Sequence, residues 1–279
     1  MSHTTVDTKH LPRILAIGDI HGCSTALRAL TEEIKPGPDD LIIVLGDFID
    51  CGPDSRGVIE QLIALSGRCR LIGILGNHEE MLLNALESKS EYRYWLKLGG
   101  QQTLRSYSAH RTDLEVIPPE HVAFIRGCRN HFETQTHIFV HANYEPALPM
   151  YQIDGGKLRW EHLDVSRLRP HSSGKTVVVG HTPQGSGTIL DLGFLIGIDT
   201  DCFRGGWLTA LDVGTGEVIQ ADERGGVRAI LEQASTCRGK GTEGGVRILI
   251  GDDENRLSTP AHLGRSAIPP KQTRPRPST

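Results

Sequence analysis

The chain has 279 residues, 38% of them hydrophobic and 23% charged, with a formal net charge of -4. This suits one large α/β domain with room for a tail, and the acidic balance speaks against a general binder of nucleic acid or membrane surfaces. No apolar run approaches the ~18–20 residues of a membrane span, and residues 1–7 lack the charged-then-apolar form of a leader, so a cytoplasmic protein is expected.

The first predicted element is a strand, Ile14-Leu15-Ala16-Ile17, an aliphatic run that ends at Gly18 and is followed by Asp19 and His21. Residues 25–34 carry Ala26, Leu27, Leu30 and Ile34 at helical spacing, with Ser24 as the expected N-cap and Pro36-Gly37-Pro38 as the stop. Residues 41–45 are a second buried strand, which delivers Asp47 and Asp50. A helix is expected from Pro53 through Leu65, with Val58, Leu62 and Leu65 on one face. Residues 71–75 form a third strand leading into Gly76-Asn77-His78-Glu79, and a helix over 79–86 follows. Strand–helix alternation to this point predicts parallel pairing with right-handed crossovers. Residues 91–130 read as peripheral helices, with Tyr92, Tyr94, Trp95 and Leu98 as an apolar cap. Residues 138–140 and 177–179 are strands that end on His141 and on Gly180-His181. Short strands follow at 188–190, 194–198, 207–213 and 217–219, with Gly214-Thr215-Gly216 as a hairpin loop. From about residue 222 the periodicity fades. Residues 246–250 are the one further strand expected there, and the Pro-rich basic end reads as a solvated extension.

In open α/β sheets, chemistry sits beyond the carboxyl ends of the strands. Here those ends supply Asp19, His21, Asp47, Asn77, His141 and His181. Carboxylate, amide oxygen and imidazole donors suit divalent Mn, Fe or Zn. A lone histidine after a strand is ordinarily a surface or core residue, but five such clusters in this order point to a metal site. Six donors are too many for one tetrahedral ion and fit two. Ions roughly 3.5–4 Å apart need a bridging carboxylate, for which Asp47 is the middle candidate. His78 follows a ligand without having to be one, so it is a candidate general acid. Asp50, on the loop after Asp47, is its candidate partner.

These motifs resemble the phosphoprotein-phosphatase branch of the calcineurin-like metallophosphoesterases, whose signature runs GDxHG, GDxVDRG, GNHE and two later histidines. The resemblance spans roughly residues 12–215. It implies an α/β fold in which a two-sheet β-sandwich is flanked by helices. The catalytic domain would cover 12–221, with the late short strands making the second sheet, and 222–279 would be a largely irregular tail. It implies a first divalent ion on Asp19, His21 and Asp47 and a second on Asp47, Asn77, His141 and His181, with Mn expected and Fe or Zn as alternatives. His78 would be the acid, oriented by Asp50. The implied activity is phosphoester hydrolysis by a metal-activated water, in the manner of a bacterial serine/threonine protein phosphatase acting on a phosphorylated protein or small phosphoester. The alternatives are a dinucleoside-polyphosphate or nucleotide phosphohydrolase and a catalytically weak metal-binding docking module.

Two departures touch the substrate clamp. Cys51 stands where the family has a phosphate-gripping Arg, and His162 stands near where a second Arg is expected after Trp160. Neither side chain replaces a planar guanidinium. Arg204 and Arg56 are the candidates to supply one. The six cysteines, Cys23, Cys51, Cys69, Cys128, Cys202 and Cys237, include no C-x-x-C pair and read as free thiols of a reducing compartment. Cys51 alone is expected beside the metals, where cationic charge favours a thiolate.

Overall fold

The computed structural model describes residues 12–110 and 113–230, all within one compact unit. The chain opens with β1 (Ile14–Ile17), α1 (Ser24–Ile34), β2 (Leu41–Val44), α2 (Ser55–Ser66), β3 (Arg70–Gly73) and α3 (Asn77–Glu87). β1, β2 and β3 pair in parallel, as alternation predicts. Ser24 is the first residue of α1 rather than its cap. Cys23 occupies that position without a side-chain cap bond. α2 starts two residues beyond Pro53, where the Asp54 carboxylate accepts the Gly57 N–H at 2.9 Å and satisfies a donor of the first turn.

The peripheral stretch holds α4 (Lys89–Trp95), α5 (Gln101–Tyr107) and α6 (Pro119–Arg126). The expected apolar cap is only partly a cap. Trp95 is fully buried, whereas Tyr94 is 47% and Leu98 is 39% exposed. Next come β4 (His131–Glu133), β5 (His137–Val140), α7 (Gly155–Trp160), β6 (Thr176–Val179), β7 (Leu190–Asp191), β8 (Leu195–Gly197), β9 (Leu208–Asp212), β10 (Val218–Ala221) and β11 (Val227–Ile230).

The late strands do not make one sheet of their own, contrary to expectation. β9, β10 and β11 continue the first sheet in the order β11-β10-β9-β1-β2-β3, and β7 and β8 complete a second in the order β4-β5-β6-β8-β7. The physical reason is pairing partner. β9 runs antiparallel to β1 on its open edge, and β8 runs parallel to β6. β11 lies beyond residue 221, where the sequence showed only lost periodicity, and pairs with β10 as a hairpin. The expected strand at 246–250 and the rest of the tail lie outside the described residues.

Alternation along the strands builds three cores. Leu15, Ile17, Ile42 and Val44 face α1 and α2. Ala16, Leu41, Ile43 and Leu45 face Phe139 and Val178, so this cluster is the interior of the sandwich. Ile138, Val140, Val177 and Val179 cover the outer side of the second sheet with Leu158 of α7. Burying each large aliphatic side chain contributes about 1.5–3 kcal/mol. The arrangement brings the loops after β1, β2, β3, β5 and β6 to one edge, and every predicted ligand lies on those loops or, for Asn77, at the first residue of α3.

Candidate metal centre

The loops are held in conformations that side chains resist. His21, Asp47 and His181 have φ of 44°, 48° and 61°, and Asp50 and Cys51 have 69° and 64°. Left-handed backbone of this kind costs about 1–3 kcal/mol per residue and persists only where the surroundings over-determine it. The main restraint is Glu79. Its buried carboxylate accepts the N–H groups of Asp47 (2.7 Å), Phe48 (3.0 Å), Ile49 (3.3 Å) and Gly76 (3.1 Å). The first two clusters are then tied together, because the His21 N–H donates to the Asp47 carbonyl at 2.8 Å. Gly46 is needed for close approach: with φ of 99°, a Cβ there would stand 2.8 Å from His141 Nδ1.

The six predicted ligands converge. Asp47 is central, with Oδ2 3.6 Å from His21 Nε2 and Oδ1 3.4 Å from His141 Nε2. Asp19, His21 and Asp47 form one group with ligand atoms within 4.8 Å of one another, and Asp47, His141 and His181 form another. Three imidazoles are oriented by backbone carbonyls. His21 Nδ1 faces the Ile49 carbonyl at 3.1 Å, His141 Nδ1 faces that of Leu45 at 2.8 Å, and His181 Nε2 faces that of Trp160 at 3.1 Å. That leaves one nitrogen of each ring as an acceptor for a cation, with the tautomer fixed by the other. The His181 N–H also donates to both oxygens of Asp19, at 3.1 and 3.0 Å.

The donor set fits divalent ions. The Asn77 amide oxygen lies 3.0 Å from His141 Nε2. The same end of that amide faces His181 Nδ1 and both Asp47 oxygens at 3.0–3.2 Å. Turned over, the amide NH2 would donate to these acceptors; as it stands, its oxygen joins them as a donor set for a cation. Charge says the same. Burial, then the neighbouring Asp199 and Asp47, hold the Asp19 carboxyl well above its usual range. Burial pushes His21 down to about 4 and His181 down to about 3, so both rings are neutral, the form that binds metal.

His78 sits apart from this set. Its Nδ1 is 2.9 Å from Asp50 Oδ2, and its Nε2 is 4.0 Å from Asp47 Oδ2. Burial opposes a charged ring, but the Asp47 charge and the Asp50 hydrogen bond outweigh it and raise His78 to about 9. Asp50 is itself fixed by two groups the sequence reading did not assign. Trp95 Nε1 donates to its Oδ2 at 2.8 Å, and Thr103 Oγ1 donates to its Oδ1 at 2.5 Å. Asp199 was also missed. It is buried, and burial together with Asp47 pushes it up to about 6. The signal for it was present, since Asp199 follows the aliphatic run of residues 194–198 just as the ligands follow theirs.

The clamp candidates divide. Arg56 is on the exposed face of α2 and pairs with Glu60 at 2.8 Å. Arg204 is 64% exposed, with its guanidinium 4.8 Å from the centre of the Phe203 ring. Phe203 in turn packs edge-on against His21 at 4.7 Å. His162 stacks on His181, with ring centres 4.4 Å apart and planes 19° from parallel. Arg159, beside the motif Trp160, is committed to Glu80 through Nε (3.0 Å) and Nη2 (2.5 Å). Cys51 groups with His21 and His78. Burial, then the charges of Asp50 and Asp47, push its thiol up to about 12 where no cation offsets them.

Comparison with known proteins bears on this geometry. Residues 12–200 match the family described as calcineurin-like phosphoesterase. The chain is 31% identical over 212 residues to serine/threonine-protein phosphatase 1 of Salmonella typhimurium, covering 73% of this chain and 93% of that protein. A shorter likeness, 36% over 69 residues, covers 25% of this chain and 24% of a symmetrical bis(5'-nucleosyl)-tetraphosphatase of Burkholderia pseudomallei. Among solved structures, a cold-active protein-tyrosine phosphatase of a psychrophilic Shewanella superposes with a TM-score of 0.58 at 16% identity, over 79% of this chain and 80% of that one. At that identity the likeness is one of fold.

Proposed function

We propose, from the premise that the chain belongs to the calcineurin-like phosphoesterase family, that it is a phosphoprotein phosphatase working through a dinuclear centre. Family membership makes it a metal-dependent phosphoester hydrolase. The observation that carries the site assignment is the convergence of His21 and His141 on opposite oxygens of Asp47. The protein-substrate part is supported by the span of likeness to the Salmonella phosphatase, which runs along 93% of its length, whereas the tetraphosphatase likeness covers 24%.

Asp19, His21 and Asp47 would hold one divalent ion and Asp47, Asn77, His141 and His181 the other, with Mn the first choice. Bound there, such ions neutralise phosphoryl oxygens and supply a water of lowered pKa for in-line attack. His78 holds a proton on Nε2 for the leaving oxygen, because Asp50 occupies Nδ1 and stabilises the charged ring. Trp95 and Thr103 fix the carboxylate that fixes that ring. Arg204, over the Phe203 ring that packs on His21, would meet the outer phosphoryl oxygens, and His162 would line the approach beside His181. Cys51 leaves the family's guanidinium position neutral. Among the described residues no helix is long and apolar enough to cross a membrane. The described cysteines are all free thiols, which supports a reducing, cytoplasmic setting.

The test is kcat/KM with added Mn for phosphoserine, phosphothreonine and phosphotyrosine peptides against dinucleoside polyphosphates. Faster capture of phosphopeptides is expected. Preference for the dinucleotides would make the chain a nucleotide phosphohydrolase instead. No turnover of any phosphoester, simple aryl phosphates included, would leave a docking module.

A further inference from the structure

The replacement of the family's arginine by Cys51 brings sulfur into a cluster that otherwise offers only nitrogen and oxygen. Asp50 and Cys51 are consecutive left-handed residues, and the Cys51 N–H donates to the Gly99 carbonyl at 3.4 Å. Gly99 closes that side, since a Cβ on it would stand 2.9 Å from Cys51 Sγ. The ligand atoms of Cys51, His21 and His78 all lie within 4.8 Å of one another. The two rings meet edge to face with centres 4.8 Å apart. Each has its Nδ1 engaged, by the Ile49 carbonyl and by Asp50, so each presents Nε2.

We propose that Cys51, His78 and His21 form an alternative cation site, sharing His21 with the Asp47 centre, for a soft, thiophilic divalent ion of the zinc or cadmium class, and that filling it stops catalysis. One thiolate and two imidazoles are a donor set for such ions, whereas Mn prefers oxygen. Coordination replaces the Cys51 S–H and the His78 Nε2–H by bonds to the metal and releases both protons to water, with no change of oxidation state. Three protein ligands leave a fourth position open, so the ion can enter and exchange.

Two consequences follow from counting lone pairs. A nitrogen has one, so His21 Nε2 cannot serve the soft ion and the first ion of the Asp47 centre together. Soft ion and Mn therefore compete. His78 Nε2 bound to a metal carries no proton, so the leaving oxygen goes unprotonated. This inhibitory half rests on the phosphatase reading, while occupancy of the site does not.

The experiment adds Cd2+ to the Mn-loaded, full-length protein and to its Cys51→Ser and Cys51→Ala variants. In the parent, Cd2+ should raise an ultraviolet thiolate-to-cadmium charge-transfer band, and both variants should lack it. Turnover of an aryl phosphate, scaled to each protein's own cadmium-free rate, should need about tenfold more Cd2+ or higher for half inhibition in the variants, at least the loss that weakened metal support brings. In the parent, that concentration should rise with Mn. A band of equal strength in parent and variants, or equal sensitivity to Cd2+, overturns the site and assigns the inhibition to exchange at the Asp47 centre. A protein that gives the band only with Cys51 yet hydrolyses no phosphoester keeps the site and sinks the phosphatase reading alone.

Discussion

His78 has one nitrogen to spare. With Nδ1 held by Asp50 at 2.9 Å, only Nε2 can meet a leaving oxygen. His78→Asn should lower kcat by about 10²–10⁴, the range for acid–base groups, while metal content stays at the parent level. The loss should shrink for nitrophenyl phosphate, whose leaving group departs without a proton. Equal losses across leaving groups, measured in steady-state kinetics, would remove the acid role. The candidate ligands were legible because each follows an aliphatic run that ends at a strand edge. The groups that position them were not. Trp95 and Thr103 reach Asp50 from 45 and 53 residues away, and such contacts leave no local period in a sequence. Glu79 was noticed for its motif, but its task of accepting four backbone N–H groups depends on how two loops pack.

At the scale of elements, the strands announced themselves and their partners did not. Aliphatic runs located β1, β2, β5 and β6 to within a residue or so, yet nothing local said that β9 would join β1 while β8 joined β6. Antiparallel edge pairing is decided by which faces are left to cover. One side-chain pin fixes the start of the first sheet. Arg13 Nη2 binds Asp40 Oδ2 at 2.7 Å and the Ile34 carbonyl at 3.1 Å, while the Arg13 N–H donates to Asp40 Oδ1 at 2.9 Å. Burial alone would raise the Asp40 carboxyl, but Arg13 and the backbone N–H of Gly37 and Arg13 outweigh it and hold it below its usual range. A folded-state pKa below the unfolded one stabilises above the unfolded value, about 3.9. That stabilisation is lost as pH falls through the folded value. Asp40→Asn should therefore cost about 1–3 kcal/mol near neutral pH, read as a lower urea midpoint of metal-free protein. The gap should narrow as pH drops below the pKa of free Asp. A gap that stays constant into strong acid would show that the charge of Asp40 is not what holds the pin.

For the whole molecule, the sandwich is what turns five loops from two sheets into one site. Asp19, Asp47 and Asn77 come from the first sheet, and His141 and His181 from the second. Asp47 lies within 3.6 Å of rings contributed by both, and in the proposed centre its carboxylate would be the joint between the two ions. The measurement that tests this most directly is metal content and aryl-phosphate turnover on the same samples of parent and Asp47→Asn, after loading with Mn and removal of the excess. About two ions per chain are expected in the parent. In the variant, metal content and turnover should fall together. An Asp47→Asn protein that keeps its full complement of ions and the parent rate would contradict the bridging role.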